Sequence, residues 1–279
     1  MALENFKPTL WSDMVLEKYE ESAVFAPLMN RSWEGDIRQK GDTVKINSIA
    51  DFSDGAYSGT VTYTDIDDAS LMMLISEDRY VAKNLGDIDK VQATPDLMGA
   101  ISNAIGQAFL RTQEAYIGGL YTDAGITSGS TGSVTEITSA NIISEIGSLA
   151  ADMDENDVPD DGRVAVVPPW LAQKIVLAGV LRDTDNSDIL SAGYIGNFQG
   201  FQVYKSNRIS HSSTTWYAPM FFRRNDTIAL ADQLILMESI RRDAVMADGI
   251  RALMVYGAKV VRPESLAVLY CSNGSESAI

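Results

Sequence analysis

The feature that most constrains the fold of this chain is a helical pattern over residues 94–121. Three signals for the start of a helix coincide at its beginning. Thr94 is a residue type that caps helices, Pro95 suits the first helical position, and Asp96 brings negative charge to the first turn. The sequence therefore predicts that a helix begins at Pro95.

Apolar residues of this segment recur at steps of three and four positions, as in an amphipathic helix. The apolar face consists of Leu97, Ile101, Ala104, Ile105, Ala108, Phe109 and Ala115, and it is interrupted by Arg111, Gln113 and Glu114. A helix over 95–121 would be about 40 Å long at 1.5 Å per residue. Globular helices average about 11 residues, so we expect this one to brace an extended structure.

Length and charge limit the kind of protein this is. The 279 residues, 46% of them hydrophobic, suffice for one large domain or two ordinary ones. A net charge of −16 argues against a nucleic-acid-binding surface, because such surfaces are basic. One cysteine, Cys271, excludes an intrachain disulfide and favours a reducing compartment. The N-terminus lacks a secretory signal pattern, and no apolar run predicts a membrane span, so we expect a soluble protein.

The N-terminal third predicts a helix and a long hairpin. Residues 10–25 follow a loose helical period before Pro27, and such a short helix needs a distant surface to pack against. Alternating apolar residues predict strands over 41–49 and 61–64 and one further strand over 71–81, around a polar tip at 50–60. An isolated two-stranded hairpin is only marginally stable, so we expect it to lean on a neighbouring surface.

The remaining chain reads as segregated helices and strands, which favours an α+β fold. We expect a loop at 122–136, a helix through Ile142 and Leu149, a buried strand at 164–167, a helix at 170–178 and a loop at 181–200. Further strands are expected at 201–204, 216–222, 227–231, 234–239, 250–261 and 265–270. The acidic run at 152–161 is interpreted as a solvated turn, since Asp157 and Arg163 stand where a calcium-binding EF-hand needs Gly and Glu.

No combination of residues predicts catalysis. His211 is the only possible histidine base, and no Gly-x-Ser-x-Gly sequence presents a nucleophile. One histidine and one cysteine cannot form a zinc site of the usual type, and no phosphate-binding P-loop sequence occurs. Paired carboxylates for acid–base chemistry stay possible among 38 acidic residues, but they carry little information. We therefore predict no catalytic, cofactor or metal site.

Four blocks of sequence occur in order along the chain. They are FKPTLWS at 6–12 with VF at 24–25 and LMNR at 28–31, GDTVKI at 41–46, GYIGNFQGFQVYKSN at 193–207, and DGI at 248–250 through YGAKVVRPE at 256–264. Together these blocks resemble the major capsid proteins of tailed bacteriophages over essentially the full chain.

The resemblance implies an HK-ninety-seven-type fold. It divides the chain into an N-terminal arm at 1–35, an extended β-loop at 36–84, a peripheral domain at 85–138 and 225–270 built on a spine helix at 95–121, an axial domain at 139–224 and a C-terminal tail at 271–279. No extra N-terminal segment of the kind that some relatives use as a built-in scaffold is recognised, which suggests a separate scaffolding protein.

The implied function is structural and not enzymatic. We expect a capsid subunit that assembles in the host cytoplasm, as hexamers and pentamers, into the icosahedral head of a tailed phage. Implied partners are a scaffolding protein, a portal and double-stranded DNA bound without sequence specificity, with no membrane and no cofactor. Two alternatives stay open: an encapsulin-like compartment shell, and an acid-rich hydrolase or carbohydrate-binding protein on an unrelated α+β fold.

Candidate contacts between subunits are residues of the arm, of the β-loop tip and of two arginine pairs. Two pairs of arginines in an acidic chain favour salt bridges across an interface over phosphate binding. The candidates are Trp11, Asp51, Asp54, Tyr57, Arg223, Arg224, Arg241 and Arg242.

Overall fold

The structure is a computed structural model that describes residues 23–32, 42–49, 68–86, 97–178, 194–212, 215–241 and 247–275. Helix α1 spans Leu97–Gly118 and continues into a 3-10 turn at Gly119–Asp123. At 1.5 Å per residue it is about 33 Å long. This confirms the long helix, while its proposed start signals at 94–96 lie outside the described residues.

A six-stranded mixed sheet forms the centre of the fold. Its strands are β4 (Ile126–Ser128), β6 (Arg163–Val167), β7 (Tyr194–Phe198), β8 (Phe201–Lys205), β9 (Met220–Arg223) and β12 (Leu266–Leu269). They lie in the order β4-β12-β9-β6-β8-β7. Strand β12 is parallel to β4 and antiparallel to β9, so the sheet joins segments that are far apart in sequence.

Both faces of this sheet are buried. Successive residues of β6 point to opposite faces, and all of them are buried. One face packs on helices α2 (Ile142–Glu155) and α3 (Pro169–Leu177), and the other packs on the C-terminal end of α1 and on residues 24–29. Helix α2 contributes the buried residues Ile142, Ile146, Leu149 and Met153, a helical spacing visible in the sequence.

A long antiparallel sheet extends from this centre. It contains β10 (Ile228–Arg241), β11 (Ala247–Val260) and β3 (Glu77–Gly86), in the order β10-β11-β3. The two predicted strands at 227–231 and 234–239 form one strand with a bulge between Leu234 and Leu236. Ile105 and Phe109 of α1 pack against Ile250 and Ala252 of β11, so the helix braces one face of this sheet.

Strands β1 (Thr43–Ile49) and β2 (Asp68–Leu74) form an antiparallel hairpin. The predicted strand at 41–49 is confirmed, whereas the predicted strand at 61–64 lies outside the described residues and the partner of β1 is β2. The single strand expected over 71–81 is wrong, because the chain leaves the hairpin at Ile75 and continues as β3 in the long sheet. Ile46, Met73 and Ile75 are buried against Ala231 and Val255 of the long sheet. The hairpin therefore leans on a neighbouring surface.

Two predicted loops contain strands. Strand β7 lies inside the expected loop at 181–200, and β4 lies inside the expected loop at 122–136, where β5 (Thr135–Ile137) also begins. Strand β5 pairs in parallel with β13 (Cys271–Asn273). Strands β4 and β5 are short and pair with β12 and β13, which lie far along the chain, so local periodicity was too weak to predict them. Strand β7 instead pairs with the adjacent strand β8, and the predicted loop missed this local hairpin.

None of the helices described by the structure is both long enough and apolar enough to cross a membrane. Strands β4 and β12, which the domain division assigns to the peripheral part, are hydrogen-bonded into the six-stranded sheet. The domain boundaries stay a prediction.

Candidate functional site

The outer face of the β1–β2 hairpin carries exposed apolar side chains. Thr43 lies opposite Leu74 and Lys45 lies opposite Met72, so these four side chains share one face. Met72 and Leu74 are 61% and 52% exposed, whereas Met73 between them is fully buried. The hairpin thus has one face bound to its own subunit and one face open.

A second exposed apolar row crosses the long sheet on the face away from α1. Leu253 lies opposite Tyr80 on one side and opposite Leu236 on the other. Tyr80 is 77% exposed, and Leu236 and Ile240 are also exposed. The described residues of the hairpin contact this face near its base, at Ala231 and Val255. Large apolar side chains left open together are typical of surfaces that meet a partner.

The N-terminal segment 23–32 is joined firmly to the body of the subunit. Phe25, Leu28 and Met29 are buried in the core between α1 and the six-stranded sheet. Asn30 pairs with β10: its N–H donates to the carbonyl of Ile228, and its carbonyl accepts the N–H of Leu230. Segment 23–32 therefore has a fixed position on the body of the subunit.

The carboxylate of Glu114 on α1 holds the start of this segment. It accepts hydrogen bonds from the backbone N–H groups of Val24, Phe25 and Ala26, at 2.9–3.2 Å. The side chain of Glu114 is 1% exposed. Glu114 and its neighbour Gln113, which interrupt the predicted apolar face of α1, are therefore both buried within the subunit.

A second polar contact holds the other end of the segment. Arg31 forms an ion pair with Asp232 of β10, and the amide of Gln113 donates to the other carboxylate oxygen of Asp232 at 2.5 Å. Glu114 of α1 thus contacts the start of segment 23–32 directly, and its neighbour Gln113 is connected to the other end through Asp232 of β10. No local sequence signal indicates these contacts, because their partners lie about ninety or more positions away.

The predicted arginine contacts are partly used within the chain. Arg223 pairs with Asp226 at 3.1 Å, Arg262 approaches the same carboxylate at 3.5 Å, and Arg241 pairs with Asp248 at 3.2 Å. Arg224 is exposed in the turn after β9, and among the described residues it forms no ion pair. The predicted contacts Trp11, Asp51, Asp54, Tyr57 and Arg242 lie outside the described residues.

His211 and the acidic run at 152–161, which were considered as possible functional groups, make contacts within the fold. The ring of His211 stacks on Tyr217 with 5.2 Å between centroids, and its Nδ1 lies 2.9 Å from the carbonyl of Ile209. Two residues of the acidic run at 152–161 pair with the buried guanidinium of Arg163, Asp154 at 2.6 Å and Asp160 at 3.1 Å. In the part of the chain that the structure describes, no three histidine, cysteine or acidic side chains are grouped as metal ligands.

Comparison with known proteins identifies a family. The profile of a family described as phage capsid protein matches residues 87–269, which is more than half of the chain. A structure from Mycobacterium phage Che8 has a TM-score of 0.76 and 28% sequence identity, over 96% of this chain and 98% of that one. A search of the curated proteins found no match.

More distant solved structures share the fold. The capsid structure of cyanophage P-SCSP1u has a TM-score of 0.70 and 17% identity, over 98% of this chain and 95% of that one. The capsid of Ralstonia phage GP4 has a TM-score of 0.69 and 11% identity, over 99% of this chain and 100% of that one. These likenesses support the HK-ninety-seven-type fold.

Proposed function

This chain belongs to the phage capsid protein family and is a structural major capsid protein, and from this premise we propose that its copies build the icosahedral head of a tailed phage. The observation that carries the proposal is the family match over residues 87–269 together with the nearly full-length likeness to the Che8 structure. As a virion component, the protein functions in an assembly of many copies.

Exposed surfaces of the subunit support this assembly. The open face of the β1–β2 hairpin and the row of Tyr80, Leu253 and Leu236 leave apolar area that a neighbouring copy can bury. In the proposed shell, hexamers and pentamers use the hairpin tip, the arm and the arginine pairs as contacts. These contacts include Trp11, Asp51, Asp54, Tyr57, Arg223, Arg224, Arg241 and Arg242.

The further partners follow from the shell function. A separate scaffolding protein and a portal take part in assembly in the host cytoplasm, and the closed shell holds double-stranded DNA without sequence-specific contacts. A net charge of −16 suits a wall that does not bind phosphate tightly. The subunit acts without catalysis. The family match does not favour an encapsulin-like compartment or an unrelated hydrolase or binding protein.

Electron microscopy of the protein expressed with its neighbouring genes tests this function. We expect closed particles of uniform size, and terminase, portal and scaffold genes beside the gene for this chain. A stable monomer at every concentration by light scattering, with no particles even with co-expressed partners, would contradict the shell function. A cargo-enzyme gene in place of the terminase and portal genes would favour a cellular compartment.

A further inference from the structure

The buried carboxylate of Glu114 is the feature that the shell function does not yet explain. Burying a carboxylate is strongly unfavourable unless hydrogen bonds compensate for the lost water. Here Val24, Phe25 and Ala26 supply three successive backbone N–H groups. Hydrogen bonds to a charged acceptor are roughly twice as strong as those between neutral groups. The carboxylate is therefore matched to this stretch of backbone.

The apolar side chains of the segment do not need this charge to be buried. Phe25, Leu28 and Met29 already enter the core, and hydrophobic contacts are not directional. The N–H groups of three consecutive residues must instead converge on the two oxygens of one carboxylate. Apolar contacts alone would attach the segment without fixing the orientation of its backbone. The hydrogen bonds to Glu114 fix that orientation at residues 24–26.

The contact at the other end of the segment strengthens this interpretation. Gln113, next to Glu114 on α1, donates to Asp232, and Asp232 pairs with Arg31. Residues 24–26 are therefore held by α1, and residue 31 is held by Asp232 of β10, which Gln113 connects to the same turn of α1. A displacement of the whole segment from the body of the subunit would break both attachments.

We infer that Glu114 is the positioning residue of the N-terminal arm: its carboxylate fixes the backbone at residues 24–26, where the described part of the arm begins, and so determines which neighbouring copy the arm contacts in the shell. The first half of this inference concerns the single subunit. The second half, the choice of neighbour, rests on the shell function proposed above.

Hydrogen–deuterium exchange on unassembled subunits tests the first half. Glu114→Gln keeps the size of the side chain but replaces one acceptor oxygen with an NH₂ group that faces N–H donors. We expect peptides covering 23–32 to exchange at least about tenfold faster, with peptides covering 142–167 unchanged. Glu114→Asp keeps the charge on a shorter side chain, and we expect it to give an intermediate exchange rate. This variant replaces Glu114→Gln in the test if the Gln variant fails to fold.

Glu155→Gln is the matched control, because it makes the same chemical change at an exposed position at the end of α2. We expect Glu155→Gln to leave the exchange rates of peptides covering 23–32 and 142–167 unchanged. If Glu114→Gln leaves residues 23–32 as protected as in the wild type, or accelerates all peptides equally, Glu114 does not position the arm.

Particle formation tests the second half. With its partner genes co-expressed, Glu114→Gln is expected to yield at least about tenfold fewer closed particles by electron microscopy at equal amounts of soluble subunit. Release of residues 23–32 with normal particle yield would overturn the role in assembly. Absence of particles from the wild type would instead refute the shell function, while the exchange data would still decide the contact within the subunit.

Discussion

At the scale of single residues, Cys271 shows how burial controls chemistry. Its side chain lies fully buried at the start of β13 among the residues between the six-stranded sheet and helices α2 and α3. Loss of water around the thiol disfavours the thiolate and raises the pKa of Cys271 far above its ordinary value. The only cysteine of the chain is therefore a small apolar core residue and not a nucleophile.

We predict that Cys271 in the native subunit reacts with iodoacetamide at pH 8.5 at least about a hundredfold more slowly than in denaturant. Mass spectrometry of the alkylated protein over time measures this ratio. Equal rates in the native and denatured protein would mean that the thiol is accessible, which would contradict the burial of Cys271 in the core.

The same burial predicts a pH dependence of stability. Because the pKa of Cys271 is raised in the folded state, the unfolded chain loses the thiol proton at a lower pH than the folded chain does. The free energy of unfolding therefore falls as pH rises above about 9, by up to about 1.4 kcal/mol per pH unit. Urea unfolding between pH 8.5 and 9.5, below the ordinary pKa of tyrosine, measures the slope. Cys271→Ala is the control and is expected to remove it.

At the scale of elements, the junction between β2 and β3 decides how the hairpin sits on the long sheet. The junction crosses β11 at Gly257, with Leu74 and Ile75 directly against that glycine. The N–H of Ile75 donates to the carbonyl of Asp42 at 2.9 Å. A β-carbon at Gly257 would lie 2.6 Å from the carbonyl oxygen of Leu74 and 3.0 Å from the Cα of Ile75. Only glycine allows the two backbones to approach this closely.

We predict that Gly257→Ala destabilises the subunit by about 1–3 kcal/mol, because the backbone at Leu74 must move away. Gly106→Ala is the matched control: nothing lies near its added β-carbon, and alanine in the middle of α1 is expected to stabilise by about 0.5–1 kcal/mol. Chemical denaturation of both variants measures the two changes. A Gly257→Ala variant as stable as the wild type would mean that the crossing is loose.

The tip of the β-loop gives a prediction about assembly. Reversing the charge at Asp51 or Asp54 by substitution with Lys is expected to reduce particle yield more than it changes the melting temperature of the subunit. Charges at a contact between subunits affect association, whereas exposed charges affect folding by less than about 1 kcal/mol. A variant that assembles normally but melts much earlier would make the tip part of the fold and not a contact.

At the scale of the whole molecule, an acidic surface and open apolar faces oppose each other during assembly. The net charge of −16 makes copies repel, while Met72, Leu74 and Tyr80 favour association by leaving water. Salt shortens the reach of charge repulsion, from about 10 Å at 0.1 M to about 3 Å at 1 M. The balance between the two forces therefore depends on ionic strength.

We predict that the assembled fraction rises as NaCl increases from about 0.1 to about 1 M, because screening weakens repulsion while apolar burial persists. Sedimentation of the subunit, with scaffold where assembly needs it, measures that fraction. A fraction that falls with salt would show that oppositely charged pairs, such as the predicted arginine contacts, dominate the interface. Sucrose at matched osmolality is the control for effects other than screening.

Several parts of the fold could be predicted from sequence because their signals are local. The long helix, the buried strand at 164–167, the first strand of the hairpin at 43–49 and the strands of the tail follow from periodicity and turn residues. The resemblance between ordered blocks of residues led to the family that the profile match then confirmed. The contact residues at the tip and in the arm stay predictions.

Only the tertiary structure decided which polar residues are internal and which strands are neighbours. Glu114 interrupts the predicted apolar face of α1 with a charged side chain, and it is buried because three N–H groups from residues about ninety positions earlier replace its water. The strand expected over 71–81 is divided at Ile75 because Gly257, far along the chain, lets the backbone cross there. Periodicity reports the environment along one segment, whereas hydrogen-bond satisfaction and close backbone approach depend on segments that only folding brings together.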